Sequence, residues 1–433
     1  MKINHKSWFN GRRVGSDYSD LASISGRGWL ARKEMRRRVG VSAPGKVILH
    51  GEHAVVYGKE AIACSIEKRV TCLLEVSDSS NLITIRATSD NKTNEKSFEL
   101  SAFLKWQAFV DDVSKPRSFD EEQLKDLQKL IGAEDDASVE AKLYLVCMFY
   151  YLAICSKFLK GSGNGLVINI SSELPLGAGL GSSASVCVSL SCAFLALCCV
   201  ISTDSHQQKD ISQSDLQLVN SWAFEGEKIL HGTPSGIDNS VVTFGGLVSF
   251  KKGVITNLPW SPHLEILLVY SKVPRSTKDL VKGVRDRREK MPRVYDALFD
   301  AIECLVQESK SNLLALEDAM QSEKNYEKCI QIMDRISDMV DINQNILRSI
   351  GVSHDSIESI LMILRRFGLK GKLTGAGGGG CVFALVKPGQ PEMENEATKE
   401  LAKSGYSCWR VRIGGSGVKF IEPLNICANK PNE

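Results

Sequence analysis

The alternation of apolar and polar residues predicts β-strands at both ends of the chain and helices between them. Apolar residues recur at every second position, or in short continuous runs, in ten segments. Six precede residue 275, at 39–49, 61–76, 82–87, 166–171, 240–250 and 264–270. Four follow residue 370, at 372–373, 381–386, 407–412 and 418–421.

The remaining periodic segments have the spacing of helices. Predicted helices span residues 101–109, 121–131, 138–159, 215–231, 278–290, 293–308, 326–350, 353–367 and 392–404, and another begins at Ser182. The pattern predicts an α+β chain in two lobes, because 433 residues exceed the usual size of one hydrophobic core. We place the lobes at residues 39–260 and 261–433, with the boundary within 250–275.

One apolar stretch, residues 182–203, carries no charge and is long enough to suggest a membrane span. It contains repeated Ser and Cys and starts directly at a glycine-rich loop, which a membrane span would leave at the bilayer edge. We therefore predict a buried helix and no membrane association.

Composition and charge exclude several classes of protein. The net charge is only +3, and no basic run with interleaved aromatic residues is present, so no nucleic-acid partner is expected. The 13 cysteines are scattered without a Cys-x-x-Cys pair, which argues against a zinc site and a disulfide framework. Reduced thiols indicate a cytoplasmic protein.

The N-terminal 38 residues differ from the rest, with ten Lys or Arg against three Asp or Glu. This composition fits either a targeting peptide for an organelle or a disordered basic arm. Translation could also start at Met35. No amphipathic helical face is evident, so we expect an inert, disordered extension without excluding peroxisomal or other organellar targeting.

A first glycine loop, residues 177–183, reads Gly-Ala-Gly-Leu-Gly-Ser-Ser and leads into the apolar helix. A helix N-terminus offers free N–H groups and a positive dipole end, both of which suit phosphate. The loop is neither a Walker motif nor a dinucleotide fingerprint, because it lacks the Gly-Lys closure and its third glycine comes one position early. A plain flexible turn is the alternative.

A second glycine loop, residues 374–380, reads Thr-Gly-Ala-Gly-Gly-Gly-Gly. It satisfies Gly-x-Gly-x-x-Gly, but a strand-like segment follows it and not a helix, so the dinucleotide-binding context fails. Two such loops could close on one ligand from two lobes; a simple linker is the alternative.

Two further motifs carry charged residues in unusual places. Lys46 opens a strand-like run that ends in Gly51-Glu52-His53, and Glu227 lies eleven positions before Asp238 in a glycine-flanked loop. Taken singly, each could be a surface charge, a satisfied core histidine or a turn residue.

Taken together, Pro44–Lys46, the first glycine loop and the second glycine loop resemble the three motifs of the GHMP small-molecule kinases. Residues 44–56 and 232–239 are similar to the branch of that family that phosphorylates mevalonate. The resemblance covers residue 39 to the C-terminus. It implies a GHMP fold with a lobe like ribosomal protein S5 followed by a ferredoxin-like α/β lobe.

The resemblance also implies ATP-dependent phosphorylation of the C5 hydroxyl of mevalonate, with Mg²⁺ as cofactor, in a homodimer. It assigns catalysis to Asp238 and Lys46 and the magnesium ligands to Ser183 and Glu227. The implied nucleotide contacts are Lys46, Ser172, Gly177, Ala178, Gly179, Leu180, Gly181, Ser182 and Ser183. The implied mevalonate contacts are His53, Arg275 and Thr277, and the second loop contributes Thr374, Gly375, Gly377 and Gly378, with its backbone amides as the useful groups.

Two roles for Asp238 are consistent with physical chemistry. It could remove the hydroxyl proton early in the reaction, or it could mainly orient the hydroxyl. A nearby lysine would favour the carboxylate and weaken it as a proton acceptor. Phosphoryl transfer needs little nucleophilic push before its transition state.

Rival activities within the family are galactose, phosphomevalonate and homoserine phosphorylation. Residues 54–56, Ala-Val-Val, argue against galactose, whose hydroxyls an acidic residue usually holds there. A catalytically inactive binding module would have lost Lys46, Glu227 or Asp238, and all three are present.

Overall fold

The computed structural model describes residues 37–89, 92–106, 112–134, 136, 138–156, 164–175, 177–202, 211–232, 234–259, 264–320, 325–387 and 391–421. The predicted N-terminal extension lies outside this part of the chain, apart from Arg37 and Arg38. The predicted lobe boundary at 260/261 also lies outside it. Both remain predictions.

The strands include every sequence-predicted β segment except the first half of 240–250. Their bounds are β1 Arg38–His50, β2 Ala61–Ser77, β3 Leu82–Ser89, β4 Lys92–Glu99, β5 Gly165–Ser172, β6 Leu247–Lys251, β7 Val254–Leu258, β8 Leu264–Tyr270, β9 Gly371–Leu373, β10 Cys381–Val386, β11 Ser407–Ile413 and β12 Lys419–Ile421.

These strands form one sheet in the order β4-β3-β5-β2-β11-β8-β10-β9. Strand β1 pairs with β2 and with β12, while β6 pairs with β2 and β7. β3 and β5 run parallel, and the other pairs among the described strands are antiparallel. Strand β11 connects the two ends of the sheet, because Ile413 lies opposite both Ile66 of β2 and Leu264 of β8. The last strands of the chain therefore return to its first ones.

The helices pack on this sheet and on one another. Their bounds are α1 Glu121–Leu130, α2 Val139–Tyr150, α3 Ser182–Leu197, α4 Gln213–His231, α5 Ile237–Phe244, α6 Thr277–Lys290, α7 Pro292–Met320, α8 Tyr326–Ser349, α9 Asp355–Arg366 and α10 Pro391–Lys403, with 3-10 turns at Ala54–Tyr57 and Leu100–Trp106 and a π-helical turn at Tyr151–Cys155.

Helix α3 is the uncharged stretch that follows the first glycine loop. Nearly every side chain from Ala184 to Leu197 is buried, and the helix packs on β1, β2 and α4. An uncharged helix surrounded by protein is the expected result, because each of its faces then meets apolar neighbours. Among the described residues, no helix combines the length and apolar character that crossing a bilayer would require.

The prediction of a strand over residues 240–250 is wrong for its first half. Residues 237–244 form helix α5, and the strand starts at Leu247 after a turn in which Gly245 and Gly246 have positive φ. The β-branched residues of this segment favour a strand locally, but Val241 and Val242 are buried in a helix that packs on α3 and α4. Tertiary packing outweighs local preference here.

Sequence periodicity also missed two strands. β4 is polar except for Phe98 and forms the exposed edge of the sheet, so little alternation of burial marks it. β7 is the second half of a hairpin with β6, closed by Lys252 and Gly253, both at positive φ.

A buried ion pair connects residues far apart in the chain. Lys372 of β9 donates to Glu52, just after β1, and their side chains are 0% and 1% exposed. Asn343 of α8 donates to Glu52 Oε2 at 3.3 Å and is 3.0 Å from His50 Nδ1. Burial raises the pKa of Glu52, although Lys372 opposes this, and burial lowers the pKa of Lys372. The pair joins β1 to β9.

We predict that Lys372→Met lowers the free energy of unfolding by about 3–5 kcal/mol, because Glu52 then stays buried without its partner. The double variant Glu52→Gln/Lys372→Met should lose less than the sum of the two single variants. Urea unfolding would measure both.

Lys370→Met is the matched control, since Lys370 pairs with Asp338 at the exposed surface. Its cost should not exceed about 1 kcal/mol. Equal costs at positions 370 and 372 would contradict a special role for the buried pair.

Candidate active site

The first glycine loop brings strand β1 against the start of helix α3. Gly177, Gly179 and Gly181 all have positive φ, between 70° and 81°. The Lys46 amide donates to the Leu180 carbonyl at 2.8 Å. A Cβ at Gly181 would lie 2.8 Å from Cγ of Lys46, so only glycine lets the lysine stem pass here.

The Lys46 ammonium then reaches Asp238, with 3.0 Å between Nζ and Oδ1. Lys46 is buried, at 4% exposure, whereas Asp238 is 35% exposed. Asp238 is the second residue of α5, which begins after its N-cap Gly236 at φ 81°, and it does not lie in a loop as the sequence suggested. The structure therefore brings a buried cation and an accessible carboxylate together beside the first glycine loop.

Glu227 and Ser183 lie beside this pair. Glu227 is buried, and its Oε1 has no hydrogen-bond partner among the described residues. Burial and, secondarily, the Asp238 charge raise the pKa of Glu227 to about 7, while a hydrogen bond from Ser183 and the Lys46 charge oppose the shift. A buried carboxylate with an unpartnered oxygen is suited to a cation.

His231 belongs to the same cluster, although it is not among the site residues predicted from the sequence. Its Nε2 lies 3.0 Å from Ser183 Oγ and 3.9 Å from Glu227 Oε1. Burial lowers the pKa of His231, although the Asp238 charge opposes this. The helical i, i+4 spacing from Glu227 could have indicated it.

Arg275 lies between the two glycine loops. A Cβ at Gly179 would be 1.8 Å from its Nη2, and a Cβ at Gly375 would be 2.8 Å from the same atom. Its Nη1 is buried without a hydrogen-bond partner in the described structure. Burial lowers the pKa of Arg275, while Cys381 and Asp238 oppose the shift. An unpartnered guanidinium nitrogen near Asp238 can receive an anion.

His53 faces the second glycine loop. It has φ 60°, unusual for a residue with a side chain, and its Nε2 lies 2.9 Å from the Ala376 carbonyl oxygen. Burial lowers the pKa of His53, and the charges of Arg275 and Arg287 act in the same direction. His53 and Arg275 thus approach consecutive residues of the second glycine loop, Ala376 and Gly375.

Two predicted site residues stand apart from these contacts. Thr277 is exposed in the first turn of α6. Ser172 bonds locally, with its Oγ 3.1 Å from both the amide nitrogen and the carbonyl oxygen of Leu174. Within the described part of the chain, no hydrogen bond joins either residue to the other predicted ones.

The second glycine loop uses several of its polar groups within the protein. Thr374 Oγ1 accepts from the Ile48 amide at 2.8 Å and donates to the Ile48 carbonyl at 3.2 Å. The amides of Gly378 and Gly380 donate to Val352 and Val273. Those two amides, expected to face a ligand, are therefore already engaged, and Thr374 ties the loop to β1.

The residues present fit a divalent cation that takes most of its ligands from a bound molecule. The described residues contain no group of three or more His, Cys, Asp or Glu side chains able to hold a metal. Glu227 and Ser183 offer one carboxylate and one hydroxyl, which leaves further positions for phosphate oxygens and water.

We predict that Glu227→Gln stabilises the metal-free protein at alkaline pH. The folded pKa of about 7 lies above the usual 4.5, so the native carboxylate costs free energy as pH rises through this window. The variant should be more stable by up to about 3 kcal/mol at pH 8 and equal to the parent at pH 4.5.

Urea unfolding of both proteins across pH 4.5 to 8, in a chelating buffer, would measure the difference. Glu225→Gln, on the same helix, is the control, because Glu225 already pairs with Lys228. If the free energies of unfolding of Glu227→Gln and the parent differed by the same amount at every pH, the raised pKa of Glu227 would be contradicted.

Comparison with known proteins shows the family to which the chain belongs. Models of the N-terminal and C-terminal domains of GHMP kinases match residues 144–246 and 329–406. Mevalonate kinase of Homo sapiens is 39% identical, with 88% of this chain and 94% of that protein covered. Mevalonate kinase of Arabidopsis thaliana is 36% identical, with coverage of 88% and 99%.

Solved structures show the same fold. The crystal structure of L. major mevalonate kinase in complex with R-mevalonate has a TM-score of 0.61 at 24% identity, covering 89% of this chain and 98% of that one. The Lactococcus lactis galactokinase complexed with galactose has a TM-score of 0.54 at 16% identity, covering 93% and 98%. At these identities the likeness concerns the fold alone and does not separate the two substrates.

Proposed function

Because the chain belongs to the mevalonate kinase family of GHMP kinases, we propose that it transfers the γ-phosphoryl group of ATP to the C5 hydroxyl of mevalonate. The products are 5-phosphomevalonate and ADP, in the synthesis of isoprenoid and sterol precursors. The single observation that carries the proposal is the 3.0 Å Lys46–Asp238 pair beside a glycine-rich helix N-terminus. This arrangement combines a phosphate cradle with a charged pair for the reacting groups.

Asp238 is the residue that receives the mevalonate hydroxyl. It is exposed enough to be reached, and Lys46 holds its carboxylate in place. Since phosphoryl transfer is loose, Asp238 orients the hydroxyl and collects its proton late in the reaction. Lys46 stabilises negative charge on the transferred group.

The first glycine loop, residues 177–183, surrounds the phosphates of ATP, with Ser172 and the second glycine loop completing the nucleotide and substrate cleft. Ser183 and Glu227 would hold Mg²⁺, and the unpartnered Glu227 Oε1 supports this role. The ion, when bound, neutralises phosphate charge during transfer. His231, whose Nε2 lies 3.0 Å from Ser183 Oγ, would hold that hydroxyl in place, as outer-shell partners of metal ligands commonly do.

The carboxylate of mevalonate is received by Arg275 and His53, with Thr277 at the edge of the cleft. Arg275 supports this assignment best, because its Nη1 is buried and has no partner within the described structure. Val55 follows the Gly51–His53 motif after one spacer residue, where a sugar kinase would need an acidic side chain, and it is apolar and half-buried. This favours a substrate with fewer hydroxyls than galactose.

We further propose that the active protein is a homodimer located in the cytoplasm. Sedimentation equilibrium would test the dimer, and a fluorescent fusion of residues 1–38 would test targeting. A monomer in the first experiment, or an organellar signal in the second, would contradict these proposals.

A coupled ADP-release assay with mevalonate, galactose, homoserine and phosphomevalonate in parallel tests the proposed substrate. Asp238→Asn should abolish mevalonate-dependent turnover while ATP still binds, because the hydroxyl loses its acceptor. Lys46→Met should lower kcat much more than nucleotide affinity.

Asp215→Asn is the matched control, since Asp215 occupies the first turn of α4 as Asp238 does that of α5. Its turnover should equal that of the parent. Near-normal turnover of the Asp238 variant would remove its assigned role, and the absence of a mevalonate signal would overturn the proposed substrate.

A further inference from the structure

Arg287, in the last turn of α6, caps the end of another helix. Its Nε and Nη2 donate to the Ile350 carbonyl at 3.1 and 2.9 Å, and Nη2 also donates to the Gly351 carbonyl at 3.1 Å. These carbonyls end helix α8, where backbone acceptors lack partners and the helix dipole favours a cation. A planar guanidinium can serve both carbonyls at once.

Residues 350–352 form the turn that Arg287 holds. This turn packs against the back of the second glycine loop. The Gly378 amide donates to the Val352 carbonyl at 2.9 Å. A Cβ at Gly377 would lie 2.1 Å from that same oxygen, so loop and turn are in direct backbone contact. Val352 itself is fully buried. The position of this turn therefore sets the position of the loop.

The front of the same loop meets the residues proposed to bind mevalonate. The Ala376 carbonyl contacts His53, and Gly375 approaches the Arg275 guanidinium. Arg287 itself is near enough for its charge to act on the His53 imidazole. A continuous path of contacts thus runs from α6, through residues 350–352 and 375–378, to the substrate side of the cleft.

Helix α6 also provides space for this side chain. Gly283 is an interior helix residue, a position where glycine is less favourable than alanine. A Cβ there would lie 3.3 Å from Arg287 Nη1, closer than nearly all real Cβ contacts. The glycine lets the arginine fold back along its own helix toward α8.

We propose that Arg287 is a positioning residue for the substrate half of the active site. Its guanidinium fixes residues 350–352, which fix the second glycine loop at the place where the Ala376 carbonyl orients His53. The assignment to substrate binding rests on the proposed function, whereas the coupling of Arg287 to the loop does not. The competing interpretation is a helix cap that stabilises the fold alone.

The test compares Arg287→Gln and Arg287→Lys with Arg288→Gln. Arg288 is the neighbouring control, bonded to Asp296 at 2.7 Å and stacked 5.0 Å over the Tyr57 ring. Arg287→Gln should raise KM for mevalonate about tenfold, with kcat and KM for ATP within about threefold of the parent, because the fork to two carbonyls is lost. The KM of Arg287→Lys for mevalonate should lie between those of the parent and Arg287→Gln, because lysine keeps the charge but cannot bond both carbonyls as the planar guanidinium does.

Hydrogen exchange of the free protein gives a readout that needs no substrate. The Gly378 amide should exchange faster in Arg287→Gln and unchanged in Arg288→Gln. A double variant with His53→Ala should raise KM for mevalonate by less than the product of the single effects, because both changes disturb one unit.

A purely stabilising role would lower the melting temperature while leaving KM and Gly378 exchange unchanged, and that result overturns the proposal. If another compound proves to be the substrate, its KM replaces that of mevalonate in the same comparison. Faster Gly378 exchange without any change in KM would also overturn the positioning role.

Discussion

The site depends on how closely strand β1 approaches the start of helix α3. Lys46 is bonded through its backbone to Leu180, and its side chain passes beneath Gly181 to reach Asp238. A larger residue at 181 would separate strand and helix, and the ammonium would then no longer meet the carboxylate. The placement of α5 matters equally, because Asp238 lies in its first turn. One close backbone contact therefore coordinates three elements of secondary structure.

The site contains charges that the fold itself does not compensate. A Glu227 oxygen and an Arg275 nitrogen are both buried without hydrogen-bond partners in the described structure, and elsewhere such groups would destabilise a protein. The Glu227 oxygen is suited to bind a cation, and the Arg275 nitrogen is suited to bind an anion. In the proposed reaction, the nucleotide with its metal would supply the cation and the substrate carboxylate would supply the anion. Binding of these partners would therefore stabilise the folded chain.

Sequence patterns predicted the features that depend on residues close together in the chain. Glycines at 177–181 and the apolar run after them indicated a loop and a buried helix, since each signal lies within a few residues. Patterns failed where distant packing decided, as for helix α5, whose β-branched residues favour a strand. The contacts of His231 with Ser183 and of Arg287 with Ile350 could not be predicted for a related reason. Their partners Ser183 and Ile350 lie 48 and 63 residues away, and only the folded chain brings them together.

The position of β11 has a consequence for synthesis of the protein. This strand occupies residues 407–413, close to the C-terminus, yet it lies in the middle of the sheet between β2 and β8. A nascent chain emerging from the ribosome can build the strands on either side, but it cannot join them until almost the whole chain has been translated. Until then the edge of β8 is open to pairing with other chains. Assembly of the central part of the sheet therefore waits for a strand that is translated after both of its neighbours.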